Sequence, residues 1–425
     1  MSPLLNFPKD LAMPTSLFSN MQRLMTFVLI LGFVSPCLCV RSRLSTETNT
    51  YNVIDYGAHG DGKSDDSGAF LSAWKDTCGA QQTPTLVIPP KGEFLLNYIT
   101  LNGPCNAPSV NIQLQGKIVA AGKNEWIKVS EIKNPKTKGL TNETSNLIVI
   151  SNVTNLSIDG SGGSIDGYGS TWWNCHACER PTILRFKFCN DLTVSNLTIT
   201  NSPKAHIRIN SCENATFSDI SIRAPGDSPN TDGFDIYTSK NILIQNSTIQ
   251  CGDDCIAISG GSSNISATGI SCGPGHGISI GSLGRNKAYD TVEEVHVKNC
   301  TFTNTENGAR IKTVPGGSGY ARKITFENIT LIDSDNPIII DQYYGSYGKA
   351  ESGALNVSDV VFRGFSGTSA KEKAITLNCS PSGCFDIVLD HVDIVSSKPG
   401  KPASCSCNNA HGKATNTVPE CSLSS

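Results

Sequence analysis

A short phrase that recurs along the chain constrains the fold more than any other feature of the sequence. Each copy has a turn residue, apolar residues at i and i+2, a polar pair and a second apolar pair, as in Asn190–Ile199. The first apolar residues of successive copies lie 23 to 33 residues apart, at Leu192, Ala215, Ile242, Ile265, Val295, Ile324, Val357 and Ile387. Repeats of this length that contain strands and no helices predict a solenoid whose stacked coils share one core. The sequence therefore predicts an all-β, single-stranded parallel β-helix.

These repeats predict one long domain over residues 50–395, although 425 residues would otherwise suggest two or three domains. An array of β-sandwiches is the main alternative, but the repeat is too long for a hairpin and too short for a seven-stranded domain. Asp65–Trp74 has an Asp N-cap and apolar residues at helical spacing, so we expect a short N-terminal helix that caps the open end of the solenoid. Residues 396–425 are interpreted as a Cys-rich C-terminal tail.

The N-terminal 39 residues are predicted to be an extension and a secretory signal peptide. The apolar run Leu24–Val34 follows Arg23 and precedes Cys37 and Cys39, which are spaced for signal-peptidase cleavage. The run is too short to span a bilayer, so we expect no membrane contact after cleavage, with a buried helix or an uncleaved anchor as the alternative. Translation starting at Met21 would give a signal of more usual length.

Charge and cysteine content narrow the possible partners and compartment. The chain has 34 basic and 37 acidic residues, a net charge of −3, which provides no surface for a nucleic acid. Seventeen cysteines favour an oxidising compartment and a secreted, extracellular protein. Sequons are possible glycan sites there, although asparagine also suits the corners between stacked strands. They lie at Asn142, Asn152, Asn155, Asn196, Asn214, Asn246, Asn264, Asn299, Asn328, Asn356 and Asn378.

Polar motifs interrupt the repeats at related positions. Asp232 and Asp254 lie 10 and 11 residues before the first apolar residues of their repeats, and Arg310 and Lys312 lie 14 and 12 residues before theirs. His276 lies 19 residues before its own, which an inserted loop over residues 283–289 would explain. Because equal phase in a solenoid means equal position on the cross-section, we expect these side chains to line one face of neighbouring coils.

The acidic residues of this face indicate acid–base chemistry. Asp253 and Asp254 cannot both point outward from a regular strand, so a turn or bulge is expected. Together with Asp232 they should raise at least one carboxyl pKa, and a raised-pKa acid beside ionised partners suits glycosidic bond cleavage. A calcium site or a solvated corner is the alternative for an Asp pair alone, and three aspartates in one phase favour catalysis.

The remaining residues of the face suggest what it binds. Glycines on both sides of His276 would leave its imidazole exposed to a carboxylate, although a single histidine is more often structural. Arg310 and Lys312 share one strand face, and two cations side by side are costly unless an anion lies between them. This pair therefore indicates an acidic substrate, with an exposed basic pair as the alternative.

Four motifs, taken together, resemble those of a known family. Asn230-Thr-Asp232, Gly252-Asp253-Asp254, Gly275-His276-Gly277 and Arg310-Ile-Lys312 resemble, in order and spacing, the signatures of plant polygalacturonases of glycoside hydrolase family 28. Val53–Ala58 and Ile165–Gly169 are also similar to that family's N-terminal coils. The resemblance covers about residues 50 to 395 and implies a right-handed parallel β-helix of the pectin-lyase-like kind.

The same resemblance implies a role for each site residue. Asp253 would be the general acid, and Asp232 and Asp254 would activate water for inversion at the anomeric carbon. His276 would tune the protonation of the acid. The substrate carboxylate and the sugar would be bound by Arg310, Lys312, Tyr344 and Asn230.

The resemblance implies a secreted monomer that acts on pectin or homogalacturonan in the plant cell wall, with no metal and no cofactor. An exo-acting galacturonosidase, a rhamnogalacturonan hydrolase, a lyase and an inert wall-binding protein are the alternatives. In this interpretation the cysteines form disulfide bridges that stabilise the fold. A bridge between Cys255 and Cys272 would fix the acid against the histidine strand. A short bridge would join Cys379 to Cys384, disulfide is favoured over zinc for Cys175 and Cys178, and the tail would be tied by Cys405, Cys407 and Cys421.

Overall fold

The structure, a computed structural model, describes residues 49–133, 140, 144–175, 178–345 and 353–424. The predicted signal peptide and the sequon at Asn142 lie outside the described residues. In the described part of the chain, no helix is long and apolar enough to cross a membrane.

Two helices stand among the strands. Helix α1 (Ser67–Gly79) begins and ends a few residues later than predicted, and the Asp65 side chain accepts a hydrogen bond from the Ser67 N–H at 3.0 Å. It packs against the first strands of the fold through Phe70 and Trp74, which confirms the capping helix. Helix α2 (Lys123–Lys133) was not predicted. Within the described ranges, three short 3-10 turns accompany these helices, at Val53–Tyr56, Gly169–Thr171 and Arg285–Lys287.

The strands form three parallel ladders, and most coils contribute to all three. Ladder 1 contains β5 (Ile99–Asn102), β8 (Asn146–Ser151), β11 (Thr182–Lys187), β14 (Ile207–Asn210), β17 (Phe234–Tyr237), β20 (Ile256–Ile258), β23 (Ile278–Leu283), β25 (Asn307–Thr313), β27 (Asn336–Asp341), β29 (Lys373–Asn378) and β31 (Ser404–Asn408). Ladder 2 contains β1 (Thr50–Asn52), β3 (Thr85–Ile88), β6 (Val110–Leu114), β9 (Thr154–Asp159), β12 (Asn190–Ser195), β15 (Glu213–Ser218), β18 (Lys240–Gln245), β21 (Ser262–Thr268), β24 (Tyr289–Thr303), β26 (Ser318–Ser334), β28 (Asn356–Ser369), β30 (Cys384–Ser396) and β32 (Ala410–Val418). Ladder 3 contains β2 (Asp61–Asp65), β4 (Glu93–Leu96), β7 (Lys117–Ala120), β10 (Ser164–Asp166), β13 (Thr198–Thr200), β16 (Ser221–Arg223), β19 (Thr248–Gln250) and β22 (Ser271–Cys272), and it continues in the second halves of the long strands β24, β26, β28 and β30.

This architecture confirms the predicted single-stranded right-handed parallel β-helix. Alternate strand residues point inward, so that identical positions of successive coils stack into one core. Phe217 of β15 stacks in register between Val194 and Ile244, and its ring also contacts ladder 1 edge-on, with centroids 5.7 Å from Phe186 and 5.5 Å from Phe234. Strands β31 and β32 pair with β29 and β30, so the described part of the predicted C-terminal tail continues the ladders.

Asparagines form a ladder of their own at one corner of the coils. Asn214, Asn241 and Asn264 have φ values of 53° to 58°, a left-handed conformation that asparagine tolerates well. The Asn241 amide donates to Asn214 at 2.9 Å and the Asn264 amide donates to Asn241 at 2.8 Å. The asparagines of two sequons, Asn214 and Asn264, therefore have a structural role in the turn.

The disulfides follow the expected pattern in part. Cys255–Cys272 and Cys379–Cys384 are bridged as predicted, and Cys175 is joined to Cys178. Cys405 pairs with Cys421 and leaves Cys407 as a thiol. The bridge between Cys78 and Cys105 was not predicted.

Candidate active site

The turns that enter ladder 1 bring the predicted acids and the histidine together. Phe234, Ile256 and Ile278 are register partners at the starts of β17, β20 and β23. Asp232, Asp254 and His276 lie two residues before these partners. They therefore occupy one position on three consecutive coils, as the repeat spacing predicted. The inserted loop that shifts the apparent phase of His276 includes the 3-10 turn after β23.

Asp253 and His276 form the first cluster of the site. The Asp253 Oδ1 lies 3.0 Å from the His276 Nδ1, and the backbone N–H of His276 donates to the Asp253 carbonyl at 2.6 Å. The other carboxylate oxygen accepts from the Asn230 amide at 3.1 Å. Gly277 has φ = 80°, and a Cβ there would collide with the carbonyl of Asn307, so only glycine lets the imidazole lie this close to the next coil.

Asp254 forms the second cluster, because both predicted cations bind it. Its Oδ1 accepts from the Arg310 Nη2 at 2.5 Å and from the Ser279 hydroxyl at 2.8 Å, and its Oδ2 accepts from the Lys312 Nζ at 2.6 Å. All three charged side chains are more than nine-tenths buried. The anion between the two cations is thus a residue of the protein, so the pair does not by itself indicate an acidic substrate.

The pKa values differ sharply among the aspartates. Burial raises the pKa of Asp232 well above its ordinary value, and the charges of Asp235, Asp253 and Asp254 raise it further. Burial also opposes ionisation of Asp253, but the hydrogen bond and charge of His276 outweigh burial and lower the pKa of Asp253 to about 2. The sequence led us to expect a raised-pKa acid in the cluster, and in this arrangement it is Asp232, not Asp253.

His276 carries the proton of its pair. Burial alone would lower the pKa of His276, but the hydrogen bond to Asp253 and the charges of Asp253 and Glu306 raise it. The Glu306 carboxylate lies 3.1 Å from the His276 Nε2 and is about half exposed. His276 therefore lies between two carboxylates. Glu306 was not predicted, although it lies only four residues before Arg310, because its partner His276 is on the preceding coil.

A second group of residues positions the site and was also missed. The Arg180 guanidinium, which is buried, donates to the Asn230 side chain at 2.7 Å and to the Pro229 carbonyl at 2.6 Å. This contact turns the Asn230 amide toward Asp253. His206 is fully buried and lies 2.9 Å from the Asp232 carbonyl, which fixes the turn that presents Asp232. Their partners lie about one or two coils away, so local sequence patterns carry no signal of them.

Tyr344 closes one side of the cation pair. The Lys312 Nζ lies 5.3 Å from its ring centroid and the Arg310 guanidinium carbon lies 6.0 Å away. Tyr344 follows β27, and its backbone N–H donates to Thr313 at the end of β25. The aromatic face of Tyr344 therefore lies beside the cations, a position compatible with the sugar-binding role that the family resemblance implies for it.

The donor set also bears on metal binding. Ligand atoms of Asp253, Asp254 and His276 lie within 4.8 Å of one another, close enough for one ion. Both oxygens of Asp254 already accept from cations, and the positive charges of Arg310 and Lys312 would repel a metal ion. The chemistry of the cluster therefore suits proton transfer better than calcium binding.

The chain is similar to known proteins over nearly its whole length. The family "Glycosyl hydrolases family 28" matches residues 78–418. A probable polygalacturonase of Arabidopsis thaliana is 45% identical over 385 residues, which is 89% of this chain and 81% of that protein. A polygalacturonase of Cryptomeria japonica is 40% identical over 88% of this chain and 72% of that protein.

Solved structures agree in fold. An endo-xylogalacturonan hydrolase from Aspergillus tubingensis has a TM-score of 0.74 and 26% identity, and the match covers 88% of this chain and all of that one. A polygalacturonase from Erwinia carotovora has a TM-score of 0.67 and 25% identity, with 83% and 94% covered. From the family match and the identity to its relatives, we conclude that this chain belongs to the glycosyl hydrolases of family 28.

Proposed function

We propose that the protein is a secreted polygalacturonase that hydrolyses α-1,4-glycosidic bonds of polygalacturonate in the plant cell wall. The observation that carries the proposal is the pairing of Asp253 with His276 next to an Asp254 carboxylate held by two cations. One carboxyl group can there give a proton while a neighbouring one stays ionised, as glycosidic cleavage requires. The relatives named as polygalacturonases support pectin as the substrate class.

In this mechanism Asp253 is the general acid, and the proton comes from its pair with His276. The Nδ1 of His276 lies 3.0 Å from the Asp253 Oδ1. When a glycosidic oxygen displaces the Asn230 amide, the proton of the pair moves from Nδ1 to Asp253. The neutral carboxyl group then turns its O–H toward the glycosidic oxygen and gives it that proton, which releases the leaving sugar and leaves Asp253 ionised and His276 neutral. The low pKa of Asp253 describes the pair before substrate arrives, and an incoming sugar that excludes water favours the neutral carboxyl group.

Asp232 and Asp254 would orient the attacking water and take its proton. Arg310 and Lys312 hold the Asp254 carboxylate in place, while the raised pKa of Asp232 makes Asp232 the better proton acceptor. The remaining N–H donors of Arg310 and Lys312, with the ring of Tyr344, would bind the carboxylate and the face of one galacturonate. Arg310 and Lys312 would thus bind the Asp254 carboxylate and the substrate carboxylate at the same time.

The products formed from polygalacturonate test this function. The purified protein should release reducing ends in the presence of EDTA, with no rise in ultraviolet absorbance. A fast fall in viscosity would mean endo action and a slow fall would mean exo action. Absorbance that grows with turnover would show an unsaturated product and overturn hydrolysis, and activity only on a branched pectin would move the substrate to that polymer.

The stereochemistry of the product tests the assignment of roles. Asp253 and Asp254 have oxygens within 4.8 Å of each other, and so short a separation usually accompanies retention of configuration. We nevertheless propose inversion, because Asp254 is held by the cations away from any role as nucleophile. Proton NMR of the first product should show the β-anomer, and the α-anomer would contradict the proposed roles.

A further inference from the structure

The outward side chains of ladder 1 form one continuous row that extends beyond the catalytic cluster. Register pairs Arg185 with Arg208 and Arg208 with Asp235. The row then continues from Asp235 to Ala257, Ser279 and Arg310. Ala257 lies on the coil of Asp253 and Asp254, and Arg310 is one of the two cations that bind Asp254. Arg185 thus lies on the same face as Arg310, three coils on the N-terminal side of the coil that carries Asp253 and Asp254.

Arg185 lacks an anionic partner although its neighbour has one. Arg208 forms a salt bridge with Asp235 at 2.8 Å. Arg185 forms no salt bridge with any residue that the structure describes, and its one hydrogen bond runs from Nη2 to the Asn210 side chain at 2.6 Å. Its Nε is buried and has no hydrogen-bond partner in the described part of the chain. A buried N–H left unsatisfied is costly, which indicates a missing acceptor.

The surroundings of Arg185 favour an anion from outside the protein. Lys187, two residues along the same strand face, has its Nζ 5.1 Å above the Phe188 ring centroid, so the strand presents two cations together. Burial lowers the pKa of Arg185, and the nearby charge of Arg208 lowers it further, so a carboxylate there would relieve a real repulsion. If Arg185 served only to position Asn210, one of its guanidinium N–H groups would be hydrogen-bonded and the others would have no acceptor in the described part of the chain.

We propose that Arg185 binds the carboxylate of a substrate uronate about three sugar units from the bond that is cleaved. The inference rests on the proposed function and deepens it. Coils of a parallel β-helix rise by about 4.8 Å, close to the length of one pyranose in an extended chain, so three coils place Arg185 about 14 Å from the catalytic carboxylates. A guanidinium with free donors suits a bidentate carboxylate contact.

This distal subsite makes the row asymmetric. On the C-terminal side of Arg310 the row continues through Ile339 and Thr376, which are uncharged. Along the register positions that the structure describes, a polyuronate therefore meets an additional cation on the N-terminal side of the cleavage point. Long, de-esterified chains gain binding energy there that short chains cannot use.

The test is a substrate-length series with variants of Arg185. R185M keeps the alkyl stem that covers the strand but removes the charge, and R185K restores part of it. R363M is the matched control, because Arg363 lies on ladder 2, where it pairs with Asp390. For each variant, kcat/KM is measured on galacturonate di-, tri-, penta- and heptamers and on the fully methyl-esterified heptamer. The melting temperature of each variant is measured separately as a check on stability.

The proposal predicts a loss confined to long, charged substrates. R185M should lower kcat/KM on the heptamer about tenfold through an increase in KM, and R185K should give an intermediate value. The kcat/KM of R185M on the dimer and on the methyl ester, and its melting temperature, should equal those of the wild type. The control R363M should match the wild type on every substrate. An equal loss on every length, or no loss on the heptamer, would overturn the subsite.

The proposal can fail independently of the proposed function. If the wild-type protein cleaves no galacturonate oligomer, the proposed function fails, and calorimetric binding of the charged heptamer then decides the subsite. Binding that R185M weakens about tenfold would support the subsite, whereas binding that is absent or unchanged by R185M would overturn it.

Discussion

Asp254 shows how one residue's partner changes the meaning of a motif. From the sequence, Arg310 and Lys312 required an anion, and the substrate was the nearest candidate. The structure supplies Asp254, whose side chain is only 2% exposed, as that anion. The same cations can still contact a substrate, but in this structure both of them bind the buried Asp254 carboxylate.

Replacement of Arg310 separates these two roles. R310A would leave Asp254 buried with Lys312 as its only cation, so we expect a loss of stability of about 3 kcal/mol. Because Asp254 orients the water, kcat should fall together with an increase in KM. R310K should recover much of the stability but little of kcat, since one ammonium cannot bind Asp254 and Ser279 as the guanidinium does. A rise in KM alone would contradict the role of Arg310 in holding Asp254.

The raised pKa of Asp232 makes a prediction about stability and pH. A carboxyl group whose folded-state pKa lies above its unfolded value of 3.8 stabilises the fold at lower pH and loses that contribution as pH rises through the folded pKa. D232N removes this loss, so the variant should be more stable than the wild type at pH 7, by at least about 1 kcal/mol, and equal to it near pH 3. Denaturant unfolding at both pH values checks this. A variant that is less stable at pH 7 would show that the Asp232 charge is compensated.

Glu306 offers a test of the proton on His276. Its charge helps to raise the pKa of His276, so E306Q should lower that pKa and move the alkaline limb of the pH profile of kcat/KM to lower pH. Because Glu306 is about half exposed, the shift should be a few tenths of a pH unit. E327Q, on ladder 2, is the control. A limb that stays in place would mean that another group titrates there.

At the scale of elements, the turns determine stability as much as the strands do. The asparagine ladder holds one corner of three successive coils in a left-handed conformation that most residues adopt only at a cost. Asn241 is the informative member because it lies in the middle of the ladder and belongs to no sequon.

Two replacements of Asn241 distinguish backbone strain from the ladder hydrogen bonds. N241G accepts the positive φ but loses the hydrogen bonds to Asn214 and Asn264, whereas N241A loses both advantages. We expect N241A to be about 1 kcal/mol less stable than N241G, and N241G to be less stable than the wild type. Equal stability of the two variants in denaturant unfolding would show that φ is not a constraint here.

The sequence predicted what repeats with the coil and missed what crosses between coils. The spacing of apolar residues gave the ladders and the shared position of Asp232, Asp254 and His276. Arg180 and Glu306 escaped because their partners lie in other coils. Helix α2 also escaped, because its main anchor Trp126 finds its partners far along the chain: the indole N–H donates to the Thr144 carbonyl at 2.9 Å and the ring lies against Trp172.

At the scale of the whole molecule, the solenoid converts sequence repetition into a binding surface. Each coil adds one outward position to the row of ladder 1, so a linear polymer can lie along it with one sugar near each coil. The catalytic cluster occupies the middle of this row, and Arg185 extends it on one side. The fold thus matches a substrate that is itself a repeat.

Replacement of Asp253 tests the central claim most directly. D253N keeps the shape of the side chain and removes the proton donor. We predict that the variant binds galacturonate oligomers with an affinity near that of the wild type, while the rate of reducing-end release falls by at least about a thousandfold. D390N, on ladder 2 away from the site, should retain full activity. Hydrolysis by D253N at a rate close to the wild type would contradict the assignment of the acid and, with it, the proposed mechanism.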